Sequence, residues 1–599
     1  MKKLLLGLTA VFCCSQTALN AQAFNAAISV SGTNTSNDNA YDVEVTAFNE
    51  RLIAASRVNG AGNNDGYMRV YSATNAPLFE YSIMGSGDDI VYAVDKFTTA
   101  TPISDIYFTG HFTGSANVFR RVFPGAPVLI TTLTAPSGLA TDRTYFVMKV
   151  NTMGTFSWVC LAGNTITANE ESGGDVTVEL VNGMRMVWTT GAFRGTSTFT
   201  AAPGAITQTA LGTGQDVFVA CYTDNGATAA LNWVNTATSP VPADNDIGWC
   251  VDADANGISY VTGSVASGTA TFNSTGGPAQ ITTAGFGDDD AFVARYSLSG
   301  LCTNTLLLGG NGIGGGIVDQ GRGIVVTRTG TNVYVSGYYR GGGGSFGGAT
   351  AQSEGFVQYL TAATLTPGWF RTVRSTGFDG CYRLCLNPAE TFCMVSGNYE
   401  NTVNVIDQFG TTLYTETPCS GTSGIDGFVL RMDAGTGASP VMGRVCGVSG
   451  IDITSGVDAS NNNEAVTCGY FSSVTLTFEG SAPTLTNASA LGTFDAFYTV
   501  FIPTSIVRLG QFNEAENVSG VKLYPNPASS QFIIQLDDAI TEHPSQFILL
   551  DLSGRTVLTQ QLTQTQTEIN VAEHPAGVYL WRITEQNGAV HQDKLIIAD

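Results

Sequence analysis

The run Ile247-Gly248-Trp249-Cys250-Val251-Asp252, followed by Ala253-Asp254-Ala255-Asn256-Gly257 and then Tyr260-Val261-Thr262-Gly263, decides how this chain is read. Two short apolar runs flank an Asn-Gly turn, and both turn residues tolerate positive φ, so the stretch predicts a tight β-hairpin. The second run ends in a small residue and Gly, and that ending recurs. It returns in Tyr107-Phe108-Thr109-Gly110, Val187-Trp188-Thr189-Thr190-Gly191, Tyr334-Val335-Ser336-Gly337, Met394-Val395-Ser396-Gly397 and Val466-Thr467-Cys468-Gly469, with Leu52-Ile53-Ala54-Ala55-Ser56 as a degenerate first copy. After each copy an acidic or small residue leads into an aromatic strand: Asp65-Gly66-Tyr67, Tyr145-Phe146-Val147, Asp216-Val217-Phe218, Asp290-Ala291-Phe292, Gly355-Phe356-Val357, Asp426-Gly427-Phe428 and Asp495-Ala496-Phe497. From Asp65 to Asp495 the six steps average roughly 70 residues, too long for a leucine-rich or β-helical coil. A fourth strand follows, as in Phe156 to Cys160 and Met442 to Cys446.

Four antiparallel strands repeated seven times predict an all-β chain built on a seven-bladed β-propeller of four-stranded blades. One such sheet cannot cover both of its faces, whereas radial stacking covers each with its neighbours and leaves short edges. From Phe24 to Pro503 the chain resembles the bacterial β-propeller repeat proteins whose blades carry an Asp-x-x-Gly-Asn-x-Tyr-Val-Thr-Gly pattern. Strands that alternate up and down bring every second-to-third connection to one face. Those connections are long, as in Ala266 to Asp288, Arg340 to Glu354 and Glu400 to Gly424, and long loops on a rigid scaffold are where binding resides. Alternating pieces within them, such as Gly268 to Phe272 and Val474 to Phe478, read as extra hairpin.

The 599 residues include 70 Gly and 13% charged residues, against about 25% charged in an average domain, which disfavours long surface helices. A formal charge of −23 repels phosphate backbones, so nucleic acid is not an expected partner. Only four His occur (His111, His543, His574 and His591), which argues against Ser/His/Asp triads and multi-His metal sites over most of the chain.

Met1-Lys2-Lys3, the apolar run Leu4 to Phe12 and the small residues Ala21 and Ala23 form the three parts of a secretory signal, with the mature chain expected to begin near Phe24. The apolar run is shorter than the ~20 residues that cross a bilayer, so no transmembrane segment is expected after signal removal. Cys13 and Cys14 would leave with the signal, and the ten remaining Cys suit an oxidising compartment. Their spacing names no disulfide pairing and no zinc site.

After Pro503 the repeat stops. Residues 504–520 read as a polar linker, and residues 521–599 as a small Ig-like β-sandwich. Tyr524-Pro525-Asn526-Pro527-Ala528, the turn Asp551-Leu552-Ser553-Gly554-Arg555, then Pro575-Ala576-Gly577-Val578-Tyr579 and Lys594-Leu595-Ile596-Ile597 occur there in order. On those motifs the segment resembles the type IX secretion C-terminal sorting domain. The resemblance implies passage into the periplasm by the signal peptide, recognition by the type IX machinery, and release or attachment at the outer-membrane surface of a Gram-negative bacterium.

Candidate sites are few. Asp252, Asp254 and Asn256 open like a calcium loop, but its twelfth position is Gly263 rather than an acid, so a hairpin turn explains them better. Adjacent carboxylates at Asp88-Asp89 and Asp288-Asp289-Asp290 would repel unless neutralised by a cation such as calcium, although Asp is equally a turn residue. Gly341 to Gly344 lacks the Lys-Ser/Thr of a phosphate loop. Tyr338, Tyr339 and Trp369 are candidates to stack on sugar rings. No catalytic, cofactor or metal residue is assigned. The leading expectation is a non-enzymatic, surface-attached or secreted binding or adhesion protein that holds a glycan or a surface protein on its long-loop face. The alternatives are an extracellular glycan-active hydrolase or lyase using carboxylates at the propeller centre, and a structural envelope scaffold.

Overall fold

Gly263 lies so near the preceding strand that a Cβ would strike the carbonyl oxygen of Ile247, and the Phe292 ring covers it from the other side. The same register pairs Gly110 with Phe146, Gly191 with Phe218, Gly337 with Phe356, Gly397 with Phe428 and Gly469 with Phe497. Ala55 stands opposite Tyr67 in the degenerate copy. The two recurring motifs are therefore cross-strand partners, the ring occupying the space that the absent side chain leaves.

The computed structural model describes residues 23–598 apart from 31–36, 99–103, 165–170, 202–203, 241–244, 267–268, 283–288, 310–318, 341–352, 418, 420–423, 448–449, 480–483, 488–492, 503–520, 537–544, 551–555, 573 and 585–589. Ala21, the linker, Asp288, Gly341 to Gly344 and the turn containing Gly554 lie outside the described residues. The chain divides into two units, Met1–Thr504 and Ser505–Asp599.

The first unit is all-β, made of antiparallel sheets mostly of four to six strands. Its inner strands are Asp38–Val45, Ile90–Thr98, Ser172–Val181, Ile247–Ala253, Gln320–Val326, Gly380–Leu386 and Gly450–Ala459. Each touches the next, and the last touches the first. Five of the second-to-third connections carry hairpins rather than free loops, while most of the Arg340 to Glu354 connection lies outside the described residues. Those at Ser115–Val122 with Val128–Thr134 and at Thr196–Ala201 with Gly204–Thr209 are hairpins that dock on the outer strand of the preceding sheet, at Pro77–Gly85 and Phe156–Gly163. Further hairpins at Ala270–Phe272, Val403–Asp407 and Thr475–Phe478 dock in the same way. An outer strand with unpaired amide groups is thus covered by its neighbour's hairpin.

The final sheet takes its outer strand from the other end of the chain: Ala23–Ser29 pairs with Asp495–Ile502. Phe24 is fully buried between Phe478 and Phe501, with ring centroids 5.5 and 5.0 Å away. One disulfide joins Cys419 to Cys446, and the other cysteines among the described residues are buried thiols.

A buried acid staples the start of several inner strands. Asp89 accepts backbone N–H groups from Gly85 and Thr113, Asp246 from Ser239 and Ala266, Asp379 from Ser375 and Glu400, and Asp452 from Ser472 and Ser473. This resolves the Asp88-Asp89 repulsion in part, because Asp88 instead accepts the Asn64 amide. Burial pushes Asp89, Asp246, Asp379 and Asp452 up to about 7, against the lowering effect of those amides. In the unfolded chain these groups keep an ordinary value of about 4. Between the two values the folded chain binds more protons, so stability is full at the acidic end and is lost as pH rises through about 7. The melting temperature is expected to rise by several degrees from pH 8 to pH 5, read by calorimetry. A flat or opposite profile would mean that these carboxyls stay ionised when folded.

The second unit packs a three-stranded sheet (Val521–Tyr524, Gln531–Leu536, Gln566–Asn570) with a four-stranded one (Thr556–Leu562, Ser545–Leu550, Gly577–Thr584, Val590–Ile597). Phe532, Phe547, Trp581 and Leu595 lie in the core between them.

Candidate functional site

Every inner strand carries a β-bulge near its start. The register slips past Tyr41, Tyr92, Gly174, Trp249, Arg322, the pair Tyr382-Arg383, and Ser455. A bulge leaves one residue unpaired and re-aims its side chain. Here all of the inserted residues line a single cavity of about 470 Å³. Tyr338 and Tyr470, from second strands, and Phe378 and Arg143 complete its aromatic and cationic wall. The cavity sits at the end of the inner strands from which the second-to-third hairpins also spring, the face on which binding was expected.

The rings are held in pairs. Tyr41 packs on Tyr92 at 5.2 Å, and Tyr338 on Phe378 at 5.9 Å. The Arg322 guanidinium lies 3.8 Å from the Trp249 ring centroid and 5.7 Å from that of Tyr382. Gln320 Oε1 accepts from both Arg322 (3.2 Å) and the Tyr338 hydroxyl (2.7 Å), which fixes the two side chains together. Burial raises the phenols of Tyr41, Tyr92, Tyr338, Tyr382 and Tyr470, so they stay protonated donors. His111, behind Tyr92, is held neutral, pushed down to about 3 by burial and by the Arg143 charge.

Below this cavity the inner strands line a second one of about 360 Å³ with acids: Asp42, Glu44, Asp95, Asp175, Glu179, Asp252 and Asp458. Most of these carboxylates reach the neighbouring inner strand. Asp42 accepts the Val94 amide, Asp95 that of Val178, Asp175 that of Val251, Asp252 that of Val326 and Asp458 that of Val45. Lys96 bridges Glu44 and Asp458. Arg383 lines both cavities, reaching Asp175 at 2.7 Å and the Gly174 carbonyl at 3.3 Å. Burial pushes Asp95 up to about 7 and Asp252 to about 8. The acids at the centre thus serve as interstrand staples, with part of their charge removed by protonation.

Of the aromatic candidates, Tyr338 lines the cavity, whereas Tyr339 and Trp369 do not. Tyr339 is fully buried and donates to Glu354, and Trp369 is 8% exposed and donates to the Ala434 carbonyl. Both side chains alternate into the sheet core. Asp252 and Asp254 do not converge: Asp252 binds Val326, while Asp254 accepts the Asn256 and Ile258 amides of its own turn. The bulged residues Tyr41, Tyr92 and Arg322 were not singled out from sequence, because a bulge has no compositional mark.

In the second unit, Asn526 Oδ1 accepts the Ile596 amide at 2.9 Å, and the Tyr579 hydroxyl donates to the Pro575 carbonyl at 2.8 Å. Tyr524-Pro525 and Asn526-Pro527 are cis. Ala576 and Gly577 are exposed, and Val578 and Lys594 lie on adjacent strands. Ala23 opens the first described strand. No helix among the described residues is long and apolar enough to cross a membrane.

Residues 522–598 match the family described as secretion system C-terminal sorting domain. An endo-acting ulvan lyase of Formosa agariphila is 30% identical over 114 residues, which are 19% of this chain and 21% of that protein. The chain therefore spans about a fifth of the length of this curated relative. Two structures of the extracellular domain of BT4673 from B. thetaiotaomicron, described as a hybrid two component system and as a one component system, cover 96% of this chain and 100% of theirs. They share 9% identity with it, at TM-scores of 0.16 and 0.15. The C-terminal segment is a type IX secretion sorting domain, which implies contact with the secretion machinery, and the chain that it ends is exported to the medium or the cell surface of a Gram-negative bacterium.

Proposed function

We propose that the first unit is a seven-bladed propeller, closed by Ala23–Ser29, that binds a glycan in its bulge-lined cavity outside the cell. The convergence of Tyr41, Tyr92, Trp249, Tyr338, Tyr382 and Tyr470 on one cavity carries this reading. Pyranose rings present C–H faces that pack on aromatic planes, while phenol hydroxyls at the ring edges meet sugar hydroxyls. Few aliphatic side chains line the cavity, which disfavours an apolar ligand. A polysaccharide panel incubated with the secreted protein is expected to give saturable binding, reduced about tenfold or more by Trp249→Ala, the size of a lost stacking partner. Binding that survives Trp249→Ala together with Tyr382→Ala would place the ligand elsewhere.

The second reading is glycan cleavage. It draws on the partial likeness to a protein named as an ulvan lyase and on Arg143, Arg322 and Tyr92 in one cavity. Elimination from an acidic sugar needs a cation to neutralise the carboxylate, a base to take the α-proton and an acid for the departing oxygen, the part that the protonated Tyr92 phenol fits, and it needs no carboxylate from the protein. Mass spectrometry of the same incubations separates the readings: shortened, unsaturated products would favour cleavage, and an unchanged panel would favour binding alone.

A further inference from the structure

We propose that Arg322, supported by Arg143, selects saccharides that bear an acidic substituent, a carboxylate or a sulfate ester. The proposal rests on the glycan reading above and names the class of glycan. The chain carries 49 acidic residues against 26 Lys and Arg, yet among the described residues no Asp or Glu lines the upper cavity, while Arg143, Arg322 and Arg383 do. Arg383 is already paired with Asp175. Arg143 and Arg322 make no ion pair among the described residues; Arg322 spends one N–H on Gln320 and lies against Trp249.

A guanidinium offers five N–H donors in a rigid fork, so Arg322 keeps donors to spare beside aromatic walls that hold its plane in place. Asp289 and Asp319 act electrostatically on Tyr338, but neither forms an ion pair with Arg322. An anion in this cavity meets two guanidinium groups that make no ion pair among the described residues, in surroundings drier than water, and it adds to their hydrogen bonds. A neutral sugar gains the stacking alone. An acidic peptide would share the charge contact but would find few aliphatic walls for its side chains.

The test is titration calorimetry of the full secreted protein with four probes: an oligogalacturonate, a sulfated carrageenan oligosaccharide, a neutral cello-oligosaccharide and a poly-glutamate peptide. At least one acidic saccharide is expected to bind about tenfold tighter than the neutral one, an advantage that falls with added salt. Arg322→Gln is expected to remove that advantage, acidic binding falling by far more than neutral binding, whereas Trp249→Ala weakens both alike. Preference for the uronate or for the sulfate identifies the substituent. Equal binding of acidic and neutral probes, unaffected by Arg322→Gln, would overturn the charge selection and leave the glycan reading intact. Binding of poly-glutamate alone, or of no saccharide, would overturn both. Should Arg322→Gln fail to fold, Arg143→Gln and the salt dependence of the unaltered protein decide the matter.

Discussion

A chain that lacks residues 23–29 is expected to unfold at a much lower urea concentration than the intact protein. Its first unit should also become sensitive to protease at 495–502. The strand Ala23–Ser29 is the outer partner of Asp495–Ile502, and Val30 continues the contact through a bond from its amide to the Ala496 carbonyl. Removing it strips a ladder of backbone bonds from a strand that lies inside the sheet, and it uncovers Phe478, Phe497 and Phe501. Phe24→Ala alone removes a fully buried ring, at a cost of about 3–5 kcal/mol. The full deletion should exceed that, because unpaired amides and carbonyls are added to the cavity. A signal cut near Phe24 leaves the closing strand as the first segment of the mature chain, whereas a cut several residues later would remove it. Unchanged urea unfolding of the deletion would mean that the ring is held closed by the inner strands alone.

What the sequence discloses about this fold depends on how local the cause is. The recurring Gly of the second strands is legible because a Cβ there strikes the neighbouring carbonyl, a constraint between strands a few residues apart. The aromatic of the next strand is legible for the same reason, since it fills the space above that Gly. The hairpin at Val474 to Phe478 shows its alternation, but nothing near it states that it will dock on Val441–Gly447. The closing strand is less legible still: Ala26 and Thr499 are bonded across 473 residues. The cavity was hidden by the bulges. One inserted residue reverses the alternation that follows it, so Tyr41, Tyr92 and Arg322 read as ordinary strand positions until the register is known. The central acids were equally hidden, because Asp95 and Asp175 look like scattered charges until neighbouring inner strands place an amide in front of each.

Deleting residues 521–599 is expected to leave the protein in the periplasm and to abolish its surface display, read by protease shaving of intact cells against fractionation. The sorting unit builds its core from its own strands, with Val521, Phe532, Phe547, Trp581 and Leu595 in contact, so its loss removes a folded recognition element. The two ends of that unit are sewn together. Asn526 accepts the Ile596 amide, the Ala528 amide donates to the Ile596 carbonyl, and the Ala598 amide donates to Ala528. The Tyr524-Pro525-Asn526-Pro527 motif and the Lys594 to Ile597 strand therefore depend on each other, although about 70 residues separate them in sequence. Removal of residues 590–599 alone takes away an edge strand together with buried Leu595 and Ile597, and should abolish export as completely as the full truncation. In both truncations the periplasmic protein is expected to keep the unfolding transition of the first unit, whose core clusters contain no residue of the second. Normal surface display of either truncation would show that recognition lies outside this unit. Loss of the first unit's transition would show instead that export failed because the cargo itself no longer folded.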